Sequence, residues 1–232
     1  MTEEIKLNSS KLGTQEYWNE FYKKELENFQ SNSDDTGECW FDDSDAESKM
    51  IQFVAEKLED GELGDATSFL DLGTGNGHLL FKLSQELKDF NKSFTFHGID
   101  YSAESIRFAK DIAEKKFPTT SFKFDQVDLL GNTPLLDNNF DVLLDKGTLD
   151  AIALNQNLIN GKRGMDIYAS QVSKMMKRGS VLLITSCNFT EEELVKVITS
   201  GTELRKWDQI TYPSFQFGGI NGSTVVSIAF IK

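Results

Sequence analysis

From Gly64 onward the chain repeats one rhythm, in which a short apolar run leads into a turn and then into a helix with one apolar face. The predicted strands are SFLDL, SFTFHGID, TSFKFDQVD, FDVLLD and SVLLITS. Helices are expected over HLLFKLSQEL, from Ser102 to about Phe117, from about Arg163 to Lys177, and over TEEELVKVITS, where Thr190 and Glu193 form a capping-box pattern. These five βα units predict a mainly parallel, doubly wound α/β sheet with helices on both faces.

The two ends of the chain depart from this rhythm. At the C-terminal end, ELRKWDQITY and STVVSIAFIK predict a terminal β-hairpin whose loop is rich in glycine and aromatic residues. At the N-terminal end, an aromatic stripe predicts a helix from Thr14, a turn-rich segment carries Trp40 and Phe41, and a second helix runs from about Asp45 to Gly61. We therefore divide the chain into an acidic helical extension, residues 1–62, and an α/β domain, residues 63–232.

Composition and charge argue against several classes of protein. No apolar run is long enough to span a membrane, and the acidic N-terminus does not look like a secretion signal. Two cysteines and two histidines predict neither a disulfide framework nor a metal site, so we expect a reduced, intracellular, soluble protein. The net charge of −13 disfavours nucleic acid as a partner. Residues 1–50 hold 13 of the acidic side chains, either as a solvated arm, which charge alone favours, or as a face that attracts a basic substrate.

The candidate ligand site follows from the fold, because open α/β sheets bind ligands at the carboxyl ends of their strands. The first strand is followed by a glycine loop, and glycines let a ligand approach the backbone closely while the next helix offers free N–H groups. Acidic residues follow the other strands. The four candidate segments are Asp71-Leu72-Gly73-Thr74-Gly75-Asn76-Gly77, Asp100-Tyr101, Asp128-Leu129 and Asp145-Lys146-Gly147-Thr148.

The glycine loop favours one cofactor over another. A dinucleotide site has the pattern G-x-G-x-x-G, but here His78 stands where the last glycine is needed, and Asp71 would repel a pyrophosphate. A carboxylate at this position suits the ammonium and sulfonium groups of S-adenosylmethionine (SAM), whose own carboxylate can use the helix N-terminus. A tight turn in an α/β protein without a ligand is the alternative interpretation.

Several longer motifs give the sequence a resemblance to a known family. KLGTQEYWNEFY, DTGECWF, FLDLGTGNG, GIDYS, DKGTLDAI, ITSCNFTEEEL and SFQFGG occur in this order between Lys11 and the C-terminus. With them, the chain resembles the elongation factor 1-alpha lysine methyltransferases, the family of methyltransferase-like protein 10 and its fungal counterparts. The glycine loop alone identifies only the superfamily, whereas DTGECWF, DKGTLDAI and ITSCNFT are far more specific.

The resemblance implies a seven-strand, Rossmann-like class I methyltransferase whose last strand is inserted antiparallel. It implies SAM as cofactor, a lysine of translation elongation factor 1-alpha as substrate, and a cytoplasmic location, and we expect a monomer. The glycine loop (Asp71, Gly73, Thr74, Gly75, Asn76, Gly77) would line the methionine end of SAM. Asp100 would hold the ribose beside Tyr101, Asp128 and Leu129 would frame adenine, and Asp145, Lys146 and Gly147 would lie near the methyl group. The segment with Trp18, Tyr22, Trp40 and Phe41 would cover the substrate side.

For catalysis, the best candidates are Asp145 to orient the acceptor amine and Trp40 or Phe41 to wall its channel, although all three could be structural instead. If the sixth strand is parallel, the loop from Pro213 to Gly222 lies at the cofactor edge. Its phenylalanines, Phe215 and Phe217, then border the acceptor entrance or pack inward. Two other functions remain open, a small-molecule methyltransferase and a non-catalytic SAM-binding protein. A nucleic-acid amine methyltransferase is disfavoured because no Asn/Asp-Pro-Pro-aromatic block follows the fourth strand.

Overall fold

The computed structural model describes residues 5, 7–64, 66–131, 135, 139–213, 215–217, 220–222 and 224–232, with the backbone alone at 215–217 and 220–222. The strands of this part of the chain are β1 (Ser68–Leu72), β2 (Thr95–Asp100), β3 (Phe122–Gln126), β4 (Phe140–Lys146), β5 (Met176–Ser186), β6 (Arg205–Ile210), β7 (Phe215–Phe217), β8 (Ile220–Gly222) and β9 (Val226–Ile231). Seven of these described strands form one sheet in the order β3-β2-β1-β4-β5-β9-β6, and β7 pairs with β8.

The sheet confirms the predicted doubly wound fold. β1 pairs in parallel with both β2 and β4, and the parallel pairing continues to β3 on one side and β5 on the other. β9 is antiparallel to β5 and to β6, so β6 runs in the same direction as β5. The order of strands reverses between β1 and β4, and a ligand crevice is expected at the carboxyl ends of these two strands.

The helices cover both faces of the sheet. They are α1 (Gln15–Ser31), α2 (Ala46–Glu59), α3 (His78–Glu86), α4 (Ala103–Lys116), α5 (Thr148–Ala153), α6 (Gly164–Lys174) and α7 (Glu191–Thr199). α1 to α4 contribute to one apolar core and α5 to α7 to the other. Because successive strand residues point to opposite faces, Phe69 belongs to the first core and Leu70 to the second. The N-terminal helices therefore form part of the main helical layer.

Side-chain caps begin three of these helices where the sequence indicates them. Thr14 caps α1 and Ser102 caps α4, each by accepting a hydrogen bond from a backbone N–H of the first turn. Thr190 and Glu193 form the predicted capping box of α7. The starts of these three helices thus follow from residues close together in the chain.

Three details of the sequence prediction were wrong. α6 ends at Lys174 and β5 begins at Met176, so the residues assigned to the end of the helix start the strand. The six-residue helix α5 was not predicted, because it is too short to show a helical period. The count of five βα units is also wrong, because within the described residues helices follow β1, β2, β4 and β5 directly along the chain and none follows β3.

No described helix combines the length and the apolar character needed to cross a membrane.

Candidate active site

A cavity of about 300 Å³ opens at the carboxyl ends of β1, β2 and β4, at the point where the strand order reverses. Such a volume is typical of a site for a small molecule. The candidate residues that line it are Trp40, Phe41, Asp71, Gly73, Thr74, Gly75, Asn76, Asp100, Tyr101, Asp128, Leu129, Lys146 and Gly147. The structure thus brings together residues from five separate segments of the sequence.

The glycine loop is shaped for close contact between backbones and side chains. Gly73, Gly75 and Gly77 all have positive φ angles, which only glycine adopts without strain. A Cβ atom at Gly73 would collide with the Thr148 hydroxyl, and one at Gly75 would collide with the Tyr22 hydroxyl. Gly77 caps α3 and does not line the cavity, so its contribution is to the turn.

Two buried carboxylates lie in the wall of the cavity. Asp71 is 2% exposed and its Oδ2 accepts a hydrogen bond of 2.7 Å from the Thr74 hydroxyl. Burial raises the pKa of Asp71 to about 7, against the lowering effects of Thr74 and of the Lys146 charge. Asp100 accepts hydrogen bonds from the backbone N–H groups of Gly75 and Ser102, and burial raises its pKa as well. A cationic ligand would relieve the cost of burying these two charges.

Asp145 does not occupy the position expected from the sequence. Its side chain is fully buried and does not line the cavity. The carboxylate accepts hydrogen bonds from the Tyr168 hydroxyl (2.5 Å) and from the backbone N–H groups of Thr148 and Leu149, at the start of α5. Burial raises the pKa of Asp145 to about 7. In this geometry the carboxylate fixes the start of α5 and cannot touch a ligand in the cavity.

Lys146 lines the cavity, but its ammonium group is directed to protein atoms of the N-terminal segment. The ammonium lies 3.0 Å from Oε2 of Glu47 and donates a hydrogen bond of 2.9 Å to the Trp40 carbonyl. Asn76 is similar, since its side-chain amide donates to the carbonyls of Thr36 and Glu38. Both were predicted to bind the cofactor and both line the cavity, and their side chains also hold residues 36–41 against the site.

Aromatic rings of the N-terminal extension close one side of the cavity. The Trp40 ring packs against Trp18 and Phe21, with centroid separations of 5.3 and 5.8 Å. The ring of Phe41 lies over Gly147, where a Cβ atom would meet Phe41 Cε2 at 2.7 Å. Tyr22 lies next to the glycine loop, because its hydroxyl is positioned over Gly75. The Phe215 and Phe217 side chains, a further predicted border, lie outside the described residues.

The sequence analysis missed two polar residues that line the cavity, Asp150 and Asn188. Asp150 lines it from α5 and accepts hydrogen bonds from the Ser186 hydroxyl (2.5 Å) and the Cys187 backbone N–H (2.8 Å). Burial raises the pKa of Asp150. Asn188 lines the cavity just beyond β5. The signal was present in the motifs DKGTLDAI and ITSCNFT, which contain these residues, but α5 was needed to orient them.

Known proteins are similar to this chain in sequence and in fold. A family model described as a methyltransferase domain matches residues 63–219. Protein-lysine N-methyltransferase EFM4 of Saccharomyces cerevisiae is 48% identical over 97% of this chain and 96% of its own length. EEF1A lysine methyltransferase 2 of Homo sapiens is 35% identical over 96% of this chain and 87% of its own.

Solved structures agree with this at the level of the fold. A TehB-like SAM-dependent methyltransferase from Corynebacterium glutamicum superimposes with a TM-score of 0.59 at 16% identity, covering 94% of this chain and 100% of that one. Magnesium protoporphyrin IX methyltransferase from Synechocystis, solved with bound SAM, gives 0.55 at 14% identity, covering 91% and 96%. The sequence and fold comparisons lead to one conclusion: this chain belongs to the methyltransferase-domain family and, within it, to the group that contains yeast EFM4 and human EEF1A lysine methyltransferase 2.

Proposed function

We propose that this protein is a SAM-dependent protein-lysine N-methyltransferase that methylates a lysine of translation elongation factor 1-alpha in the cytoplasm. The observation that carries the proposal is the similarity, over almost the whole chain, to relatives named for lysine methylation and for EEF1A. The cavity at the switch point of the sheet supports the same reaction, because its residues suit SAM at one end and an amine at the other.

The described residues fit SAM by their charge and shape. Asp71 would attract the ammonium group of the cofactor. Because burial raises the pKa of Asp71 to about 7, about half of these carboxyl groups are protonated at pH 7, and a positive ligand would favour the ionised form. Asp100 has further lone pairs for the ribose hydroxyls. Tyr101, Leu129 and the neighbouring Val127 provide an aromatic and apolar surface for adenine. When bound, SAM supplies a methyl group on a sulfonium, which a nucleophile accepts by direct in-line displacement.

The acceptor lysine must lose its proton before it can react. A pH of 7 is about three units below the pKa of an unperturbed lysine, so removing the proton to form the neutral amine costs about 4 to 5 kcal/mol. Trp40 and Phe41 line this side of the cavity, and desolvation of an amine between such rings would lower its pKa. Asp150 is a buried carboxylate that lines the cavity near the end of β5. We assign to Asp150 the orientation of the incoming amine, in place of Asp145.

The site needs accurate placement of the two reactants more than a covalent catalyst. The backbone of β4 and β1 fixes the cofactor loop, while residues 36–41 are tied to that loop through Asn76. Cofactor end and acceptor end are therefore held by one continuous set of hydrogen bonds.

A transfer assay tests the proposal. The protein is incubated with radiolabelled SAM and either purified elongation factor 1-alpha or total protein from cells that lack the enzyme. We expect one labelled band at the elongation factor, which disappears with Asp71→Ala. Cofactor binding without label on any protein would refute the proposal and favour a small-molecule acceptor. Absence of cofactor binding would refute the assignment of the site itself.

A further inference from the structure

One polar cluster connects residues 36–45, here called the cover segment, to the rest of the site. Its members are Cys39 in the cover segment, Glu47 in α2, His78 at the start of α3 and Lys146 at the end of β4. Glu47 Oε1 lies 2.5 Å from His78 Nδ1, and Glu47 Oε2 lies 3.0 Å from the Lys146 ammonium. The ammonium also donates to the Trp40 carbonyl at 2.9 Å and approaches Cys39 Sγ at 3.8 Å. The three elements α2, α3 and β4 thus meet the cover segment at one point.

The cluster is buried and its polar atoms are paired. The side chains of Lys146 and Glu47 are only 12% and 8% exposed. Burial acts to raise the pKa of Glu47, but His78 and Lys146 outweigh it and hold this pKa at about 2. The contacts with Cys39 and Glu47 raise the pKa of His78 to about 9, so its ring is protonated at neutral pH. The attraction within a buried ion pair offsets the cost of burying its charges only when additional hydrogen bonds satisfy its polar atoms, and the Trp40 carbonyl provides one for Lys146.

Neither a cofactor nor a metal ion explains this arrangement. The Lys146 ammonium already has protein acceptors on Glu47 and Trp40 and a longer contact of 3.8 Å with Cys39 Sγ, so the protein holds it without a ligand. Cys39, Glu47 and His78 place possible metal-ligand atoms within 4.8 Å of one another. A metal ion on these atoms would lie beside the Lys146 ammonium and would be repelled by it. The negative charge of Glu47 is already balanced by His78 and Lys146.

The Lys146 ammonium contacts the cover segment directly beside a residue with strained backbone. Its acceptor is the carbonyl of Trp40, and Phe41 directly after it has a φ angle of 66°, which is strained for a residue with a side chain. Such a conformation persists only where the surroundings impose it. The Phe41 ring lies over Gly147, the neighbour of Lys146. The strained turn, the ring and the ammonium thus form one contact between the cover segment and the end of β4.

We propose that Lys146 is a positioning residue for the acceptor, a role that rests on the proposed methyltransferase function. Its ammonium holds the Trp40 carbonyl and the Glu47 carboxylate, and so keeps the Trp40 and Phe41 rings at the wall of the acceptor channel. It acts through these two rings and not through contact with SAM. The side chain therefore sets the affinity and orientation of the acceptor lysine, while the cofactor end of the cavity depends on Asp71 and Asp100.

Lys146→Met removes the ammonium and keeps the length of the side chain. Lys57→Met is the matched control, because Lys57 is also mostly buried, bridges Glu62 and Asp208, and does not line the cavity. We expect Lys146→Met to bind SAM within about threefold of wild type by titration calorimetry, because loss of the Lys146 charge raises the pKa of Asp71 but also removes a cation that repels the positive groups of SAM. Its kcat/KM for the acceptor protein falls at least about tenfold, the loss that one hydrogen bond to a charged group predicts. Amide hydrogens of the cover segment exchange faster. Lys57→Met leaves all three measurements near wild type.

The double variant Glu47→Gln with Lys146→Met separates positioning from stability. In Lys146→Met the Glu47 carboxylate keeps His78 as its partner on Oε1 but loses the donor on Oε2, and Glu47→Gln removes the charge that is left half paired, so thermal stability recovers in part relative to Lys146→Met. The kinetic defect toward the acceptor persists, because the Trp40 carbonyl still lacks its donor. Recovery of kcat/KM together with stability would overturn the positioning role. A tenfold or greater loss of SAM affinity in Lys146→Met would also overturn it, by making Lys146 a cofactor-binding residue.

Failure of the proposed function is distinguishable from failure of this inference. If wild-type protein binds SAM but methylates no protein, the function fails. Hydrogen exchange and calorimetry still test whether Lys146 holds the cover segment without contacting SAM. Unchanged exchange in residues 36–45 of Lys146→Met would then refute the inference by itself.

Discussion

Asp71 provides the most discriminating prediction, because burial should make this carboxylate costly without a ligand and useful with one. The substitution Asp71→Asn keeps an acceptor for the Thr74 hydroxyl but cannot ionise. In the folded protein the pKa of Asp71 is about 7, against 3.8 for the ordinary group. Because the pKa is higher in the folded than in the unfolded protein, the protonated form of Asp71 stabilises the fold. This contribution is complete below pH 3.8 and is lost as pH rises through about 7.

The size of this effect follows from the shift. About three pH units correspond to roughly 4 kcal/mol of free energy of unfolding lost by the ligand-free protein between acidic pH and pH 8. We therefore expect ligand-free Asp71→Asn to be more stable than wild type at pH 8, by about 1 to 4 kcal/mol in urea denaturation. If the Asp71 carboxylate instead stabilised the fold, Asp71→Asn would be less stable than wild type at pH 8.

The same carboxylate should make SAM binding dependent on pH. The ionised fraction of a group with a pKa of about 7 rises about eightfold between pH 6 and pH 7.5, so wild-type affinity should rise by a similar factor. His78 stays protonated and Glu47 stays ionised across this range. Calorimetry in two buffers of different ionisation enthalpy should detect about one proton released at pH 6.

Asp71→Asn should bind SAM more weakly, with a smaller pH slope and less proton release. Asp89→Asn is the control, because Asp89 is exposed and does not line the cavity. The reasoning is refuted if Asp71→Asn retains wild-type affinity and pH slope, or if it is less stable than wild type at pH 8.

Three further substitutions test the geometry of the site and fold. Gly75→Ala should weaken SAM binding at least about tenfold, because the new Cβ atom would collide with the Tyr22 hydroxyl. Gly61→Ala is the control, since Gly61 also has a positive φ angle but open space around it, and this variant should bind SAM normally. Equal SAM affinity in the two variants would contradict this prediction. Tyr168→Phe should lower the free energy of unfolding by about 1.5 to 3 kcal/mol in urea denaturation, because Asp145 loses a buried hydrogen bond, and an unchanged midpoint would disprove that pairing. Thr190→Ala should cost about 1 kcal/mol of unfolding free energy by removing the cap of α7, and a loss of SAM affinity beyond this would be unexpected.

Most of the fold could be predicted from local sequence signals. Buried strands, helix caps and the glycine loop each depend on residues close together in the chain, and their positions agree with the structure to within a few residues except at the end of α6. The helix α5 escaped prediction because six residues do not show a period. Its absence from the prediction had a consequence for the site, since Asp150 lines the cavity from this helix.

The direction of a side chain at the end of a strand was harder to predict. Asp145 and Lys146 are neighbours in β4, and successive side chains of a strand point to opposite faces. The sequence placed both near the methyl group; the structure directs Asp145 to Tyr168 and Lys146 to the cover segment. The partners of Lys146 lie far away in the sequence, in α2 and in the cover segment, so no local pattern could have indicated them.

Recovery of the transferred label as methyllysine is the most direct test of the proposed function. Purified elongation factor 1-alpha from cells lacking the enzyme is incubated with the protein and radiolabelled SAM, and then hydrolysed to amino acids. We predict that the label is recovered as methylated lysine, and that Asp71→Ala gives none. Wild-type protein that binds SAM but yields no labelled lysine from the elongation factor would contradict the proposed function.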